Sequence, residues 1–123
     1  MTASPAQLNR VFSAWSAASL ASGAALWARG GSDSTKAFGR QTFAWGVVNA
    51  AIAGWAASRP TPDVERLRRL LRINAIADVG YIAGGVVLFK SGRRPDGAAV
   101  MLQGAFLLAL DSHYAYHLPR ATS

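Results

Sequence analysis

Apolar residues along this chain fall into four long segments, and most charged residues lie in the stretches between them. The segments cover residues 11–28, 41–58, 73–89 and 98–117, and the first two contain no charged side chain. About 18 apolar residues is close to the minimum for a helix that crosses a bilayer. Turn-forming residues separate the first segment from the second and the third from the fourth, as between antiparallel neighbours. The pattern predicts an all-α fold, an antiparallel four-helix transmembrane bundle, as a single membrane domain over residues 1–123.

The third segment carries one polar face. Asn74, Asp78, Tyr81 and Gly85 follow one another at steps of four, three and four residues, which places them on one side of a helix. A carboxylate in an apolar segment is costly unless it faces other polar groups. We therefore predict a polar seam inside the bundle, formed by Gln41, Asn49, Asn74, Asp78, Tyr81, Gln103 and Asp111.

Capping residues predict where two of the helices begin. Ser4 and Pro5 suit the cap and first position of the first helix, with Gln7 completing a capping box. Thr61 and Pro62 form the same pair and predict that the third helix begins at Pro62. The first segment also has small residues that suit signal-peptide cleavage, but its weakly basic start favours an uncleaved span.

The two halves of the sequence resemble each other. A shift of 62 residues, without a gap, aligns Gln41 with Gln103 and Asn49 with Asp111. We therefore predict two duplicated helical hairpins, residues 1–61 and 63–123. Because each hairpin would cross the membrane twice, both would have the same orientation in the bilayer.

Two roles are open for the polar seam. Its side chains can hydrogen-bond across helices and fix their register, which is a structural role. Alternatively, Asp78 and Asp111 can form a carboxyl pair that shares one proton in an apolar interior, which would make a proton or cation site. An arginine at the membrane boundary, Arg72 or Arg10, could instead reach inward and neutralise one carboxylate.

The histidines and the absent motifs argue against metals and catalysis. His113 and His117 are four residues apart, which suits two ligands on one helix face, but Asp111 is the only acidic residue nearby. The tyrosines between them are typical of an aromatic belt at the membrane surface, and we assign the four tryptophans to belt or packing positions. The chain has no cysteine, P-loop or dinucleotide fingerprint. We expect no metal, no cofactor and no enzymatic activity.

The net charge of +7 indicates a membrane environment more than a nucleic-acid partner. The basic residues are not interleaved with exposed aromatic residues, as single-strand binding would require, and they flank the apolar segments instead. Arginines are concentrated around the start of the third helix, where they could bind anionic lipid headgroups or a protein partner; these are Arg66, Arg68, Arg69 and Arg72. This concentration favours cytoplasmic termini in a bacterial inner membrane, although the basic residues are divided almost evenly between the two faces.

Spaced polar residues also carry a family resemblance. They are Gln41, Trp45 and Asn49, then Asn74, Asp78 and Tyr81, then Gln103, Gly104, Leu107 and Asp111. With them, residues 38–114 resemble a family of small uncharacterised bacterial membrane proteins with four helices. The resemblance implies a fold and no activity.

Three functions are consistent with this sequence. The first is a non-enzymatic accessory or structural subunit of a membrane complex. The second is a small oligomeric transporter coupled to protons or ions through Asp78 and Asp111. The third is a soluble helical bundle, which the modest mean hydropathy of +0.18 allows.

Overall fold

Four α-helices make up most of the protein. The computed structural model describes residues 4–60 and 62–118, and the helices are α1 (Pro5–Arg29), α2 (Asp33–Ala57), α3 (Val64–Lys90) and α4 (Arg94–His117). The all-α, four-helix prediction is confirmed. Each helix extends beyond its apolar segment by at least one turn at one end, so polar residues at that end continue the helix.

Capping explains the helix starts. The Ser4 hydroxyl accepts a hydrogen bond from the Gln7 amide at 3.1 Å, and Pro5 is the first helical residue, as predicted. In α3 the Asp63 carboxylate accepts from the Arg66 amide at 2.8 Å, so the helix begins at Val64 and the predicted start at Pro62 is wrong. An ionised aspartate at the cap position satisfies an otherwise unpaired amide, and it favours the later start. The predicted cap residue, Thr61, lies outside the described residues.

Glycines bring the helices together in two antiparallel hairpins, α1 with α2 and α3 with α4. A Cβ atom added to Gly23 would lie 2.8 Å from the backbone oxygen of Gly39. A Cβ added to Gly85 would lie 2.9 Å from the backbone oxygen of Gly97. No side chain fits at these positions, so the backbones of each hairpin are in direct contact, as at small-residue interfaces between membrane helices.

The two hairpins pack alike, with one difference in register. Gly46 meets the backbone of Leu20 in the first hairpin, and Gly104 meets the backbone of Ile82 in the second. Equivalent residues of α1 and α3 are therefore 62 positions apart, whereas Gly39 and Gly46 of α2 correspond to residues of α4 that are 58 positions later.

This register corrects part of the ungapped alignment. The four-residue difference is about one helical turn, so the same helix faces stay in contact although the segment from Gly85 to Gly97 is shorter than the segment from Gly23 to Gly39. In the register that the glycine contacts define, Trp45 of α2 is equivalent to Gln103 of α4, and Ala53 is equivalent to Asp111. The predicted equivalence of Gln41 with Gln103, and of Asn49 with Asp111, is therefore wrong, because a shift read without a gap cannot register helix ends that are four residues shorter in the second hairpin.

The distribution of buried side chains is unusual. Within residues 4–60 and 62–118, nine hydrophobic residues are buried, and nine polar or charged residues are buried as well. Sixteen large hydrophobic residues are exposed over the same ranges, most of them on α2 and α3, with Ile76 at 75% exposure the most exposed aliphatic. Two helices, α1 and α3, are long and apolar enough to cross a membrane, whereas four spans were predicted.

One end of the bundle holds the main hydrophobic cluster, and Arg68 lies beside it. Leu71, Leu110 and Tyr114 belong to this cluster. The buried guanidinium of Arg68 donates to the backbone oxygens of Ala115 at 3.0 Å and Leu118 at 2.6 Å, so it caps the end of α4. The sequence analysis grouped Arg68 with arginines that could bind lipid headgroups or a partner, which would place it at the surface. It is buried instead, because the open carbonyls of the α4 end offer it better partners than solvent.

Candidate functional site

A network of polar side chains centred on Gln103 connects α1, α2 and α4. The Gln103 side-chain oxygen accepts from the indole Nε1 of Trp15 at 2.9 Å and from the amide of Asn49 at 3.4 Å. Its Nε2 donates to the hydroxyl of Ser19 at 3.1 Å. We call these four residues the glutamine hub. The hub connects one hairpin to the other, and Gln103 and Asn49 are almost completely buried in it.

Asp78 of α3 and Asp111 of α4 form a carboxyl pair. Both side chains are buried, at 2% and 9% exposure. The second oxygen of Asp78, Oδ2, is buried and has no hydrogen-bond partner in residues 4–60 and 62–118. The sequence analysis predicted this pair, and the structure buries both of its members.

A half-open cleft of about 1050 Å³ lies between the hairpins and reaches the carboxyl pair. Its walls come from the first turns of α1, the second half of α2, the first half of α3 and residues 107–111 of α4. Asp78, Asp111 and Asn49 line it together with apolar side chains. The polar groups that the sequence placed on three helices therefore face one shared space.

The cleft exists because α2 and α3 do not pack closely against each other. The main helix pairs are α1 with α2, α3 with α4, and α2 with α4. Between α2 and α3 one ring contact is made, where Trp45 meets Tyr81 edge-on with ring centroids 5.1 Å apart. The space between these two helices is otherwise open toward the outside of the bundle.

The predicted polar seam is divided between these two sites. Asn74 and Tyr81 line the cleft, although both are exposed to a large extent. Gln41 is half-buried and takes part in no hydrogen bond within the described chain, so the structure does not bring it into either site. Asn49 belongs to both, since it donates to Gln103 and also lines the cleft.

A third buried carboxylate differs from the pair in its partners. Asp96, in the first turn of α4, lies 3.2 Å from the Arg93 Nε and 3.5 Å from an Arg40 guanidinium nitrogen. In contrast, no ion pair to Asp78 or Asp111 occurs in the part of the chain that the structure describes, and this includes Arg72 and Arg10. Neither Arg72 nor Arg10 therefore neutralises the pair, and the buried carboxylate that does have arginine partners is Asp96.

The remaining predicted site residues lie outside the cleft floor. Arg66, Arg69 and Arg72 are exposed, and Arg66 lies at the outer edge of the cleft. His113 and His117 are exposed neighbours with ring centroids 4.4 Å apart. No group of three metal-ligating residues is present within residues 4–60 and 62–118.

Sequence reasoning missed the part that Trp15 and Ser19 play. Trp15 stacks on Phe106 with centroids 3.8 Å apart and donates to Gln103, so of the two predicted roles, belt or packing, it takes the packing role in the middle of α1. Ser19 accepts from Gln103 in the same place. Their spacing of four residues on α1 was the available signal, since it places both on one helix face.

A comparison with known protein families assigns the chain to one of them. Residues 11–112 match the family of unknown function DUF6992. The chain belongs to the DUF6992 family. No curated protein and no solved structure matches it. The DUF6992 match covers every residue of the glutamine hub and of the carboxyl pair, and it ends before His113. Both sites therefore lie in the part of the chain that matches the family, and the histidine pair does not.

Proposed function

We propose that this DUF6992 chain is an integral membrane protein that binds a ligand in the cleft between its hairpins, without catalysing a reaction. The carboxyl pair supplies the polar end of the binding site, and the glutamine hub holds the two hairpins around it. The observation that carries the proposal is a buried carboxyl pair that faces an open cleft and has no basic partner in the described chain.

The burial pattern supports the membrane part of the proposal. Only 17% of the apolar window of α3, and the same share of α1, is buried inside the protein. A helix in the core of a soluble protein would be mostly buried, because burial of apolar surface is what stabilises such a core. Equal numbers of buried polar and buried hydrophobic residues fit a protein whose apolar side chains face lipid.

Extraction from membranes tests this part. A protein surrounded by lipid stays in the membrane pellet after an alkaline wash and becomes soluble only in detergent. Recovery in the aqueous phase without detergent would contradict the proposal and favour the soluble bundle.

The carboxyl pair supports the binding part of the proposal. An ionised group in an apolar region costs free energy unless another group compensates it. Asp96 obtains that compensation from two arginines, whereas Asp78 and Asp111 have no ion pair in the described chain and face the cleft. A ligand with hydrogen-bond donors would satisfy the unpaired Oδ2 atom of Asp78.

An apolar carbodiimide tests whether the pair is accessible from the cleft. Dicyclohexylcarbodiimide reacts with protonated carboxyl groups in apolar surroundings, and we expect mass spectrometry to find the adduct on Asp78 or Asp111. Asp96 is the matched control, because it is equally buried but paired with arginines. Equal labelling of Asp96, or no labelling of the pair, would contradict the proposal.

A second candidate is the accessory subunit of a membrane complex. The glutamine hub favours it, because its hydrogen bonds account for Asn49 and Gln103 without any ligand. A ligand site predicts that a variant with Asp78 and Asp111 replaced by asparagine no longer binds the ligand. An accessory role predicts that the same membrane partner co-purifies equally well with this variant and with the wild type. Ion or proton flux through liposomes that contain the protein would extend the binding proposal to transport.

Orientation and lipid contacts complete the proposal. We place the protein in the bacterial inner membrane as a multi-pass protein with cytoplasmic termini, where Arg66, Arg69 and Arg72 face anionic headgroups. The chain has no cysteine, so single substitutions report on topology without a background signal. A cysteine at Ser58 should react with a membrane-impermeant maleimide only from the cytoplasmic side, and one at Gly31 only from the opposite side. Labelling of both from one side would overturn this topology.

The matched glycine contacts of the two hairpins support a duplicated origin. The two glycine contacts described for the first hairpin recur at equivalent positions of the second, where the segment between the contacting glycines is about one turn shorter. A duplication places the two halves about an axis along the membrane normal, and the cleft then lies between the repeats, as substrate sites do in membrane proteins built from repeats.

A further inference from the structure

The walls of the cleft select for an apolar ligand body. Val48 and Ile52 of α2 and Leu70 of α3 line the cleft, and each of these side chains is 44–50% exposed. They border the opening between α2 and α3, where the helices do not pack closely. Since exposed aliphatic side chains of a membrane protein face lipid, the opening leads to the bilayer and admits ligands that dissolve in it.

The floor of the cleft is acidic. Asp78 and Asp111 are two buried carboxyl groups that line it, and no ion pair to either occurs in the described chain. No titratable side chain of α1 or α2 lines the cleft near the pair, and on α3 the nearest titratable neighbour is Tyr81. Arg59 and Arg66 lie at the outer end, and Arg66 is about 18 Å from Asp78 along the helix axis at 1.5 Å per residue. Arg66 can therefore not neutralise the pair directly, and the guanidinium of Arg59 lies over the Trp55 ring.

We infer that the ligand is a protonated amine carried on an apolar body, with its ammonium group donating to Asp78 and Asp111. This inference rests on the proposed binding function and names the chemical class of the ligand. An ammonium group has three donors and no acceptor, so it can donate to the unpaired Oδ2 of Asp78 and to the Asp111 carboxyl at once. Its positive charge is opposite to that of an ionised carboxyl group, and a charge-assisted hydrogen bond is stronger than a neutral one.

A matched series of probes tests the charge requirement. 4-Phenylbutylamine, 4-phenylbutanol and 4-phenylbutanoate share one apolar body and differ in a cationic, a neutral and an anionic end group. Titration calorimetry on the full chain in detergent should give the lowest Kd for the amine, a Kd at least about tenfold higher for the alcohol, and no binding of the carboxylate. An alcohol that binds as tightly as the amine, or a carboxylate that binds, would overturn the inference.

Two kinds of variants locate the binding. Asp78→Asn with Asp111→Asn should abolish amine binding, whereas Asp96→Asn, which removes a buried carboxylate outside the cleft, should leave it unchanged. Amine binding that survives in the double variant would overturn the inference. Circular dichroism of each variant shows whether the helices are retained.

Filling the cleft provides a test that keeps both carboxyl groups. Ala77 lines the cleft and is exposed, so Ala77→Phe should reduce amine binding at least about tenfold without affecting the fold. Ala83→Phe, on an exposed position of the same helix outside the cleft, is the matched control. Equal binding by both variants would overturn the inference. If the carbodiimide labels the pair but the amine does not bind, the binding site stands and the ligand class is wrong; if labelling fails too, both are wrong.

Discussion

Replacing Gln103 should loosen the attachment between the two hairpins. Gln103→Met keeps the volume of the side chain nearly unchanged and removes three hydrogen bonds, those to Trp15, Asn49 and Ser19. Hydrogen bonds between membrane helices contribute about 0.6 kcal/mol each on average. The loss of three predicts a decrease of about 2 kcal/mol in the free energy of unfolding, before any cost of leaving the Asn49 amide unpaired.

Reversible unfolding in mixed micelles, followed by circular dichroism, measures this quantity. Gln41→Met is the matched control, because Gln41 takes part in no hydrogen bond in the described chain, and its free energy of unfolding should change by less than about 0.5 kcal/mol. A double-mutant cycle with Trp15→Phe isolates one bond of the hub and should give a coupling energy of about 0.6–1.7 kcal/mol.

The comparison of the two methionine variants can refute the reasoning. If Gln103→Met and Gln41→Met have the same stability, the hydrogen bonds of the hub contribute nothing to the folded state. A coupling energy of zero between Trp15 and Gln103 would refute the specific bond between them, even if Gln103→Met is destabilising for another reason.

Two further predictions concern the hairpin contacts and the end of α4. Gly85→Val should destabilise the protein by about 1–3 kcal/mol in the same unfolding assay, because the new side chain would meet the backbone of α4, whereas Gly84→Val has open space and should have little effect. Equal stability of the two variants would refute the direct backbone contact. Arg68→Met should speed amide hydrogen exchange at the last turn of α4, since the carbonyl oxygens of Ala115 and Leu118 lose their donors, and the exposed Arg69→Met should not. Unchanged exchange in Arg68→Met would show that the cap does not hold this turn.

The burial of Arg68 shows a limit of reading charge from sequence. Its neighbours Arg66 and Arg69 are exposed, as the sequence predicts, and nothing in the local pattern distinguishes Arg68 from them. The difference arises because α4 ends beside it, and the location of that end depends on how α3 and α4 pack. A contact across 47 residues of sequence is a property of the packed hairpin and not of the segment.

The sequence by itself determined the four helices, the antiparallel connections and the presence of polar residues at matching faces, because hydrophobic period, turn residues and helix caps are local features. It also indicated that Asp78 and Asp111 belong together. Only the tertiary structure decided the register of the second hairpin, the hydrogen bonds of Gln103 and the cleft between α2 and α3. These features depend on how closely glycines let two backbones approach and on which helices remain apart. Such distances between helices are not encoded in the residue pattern of any single helix.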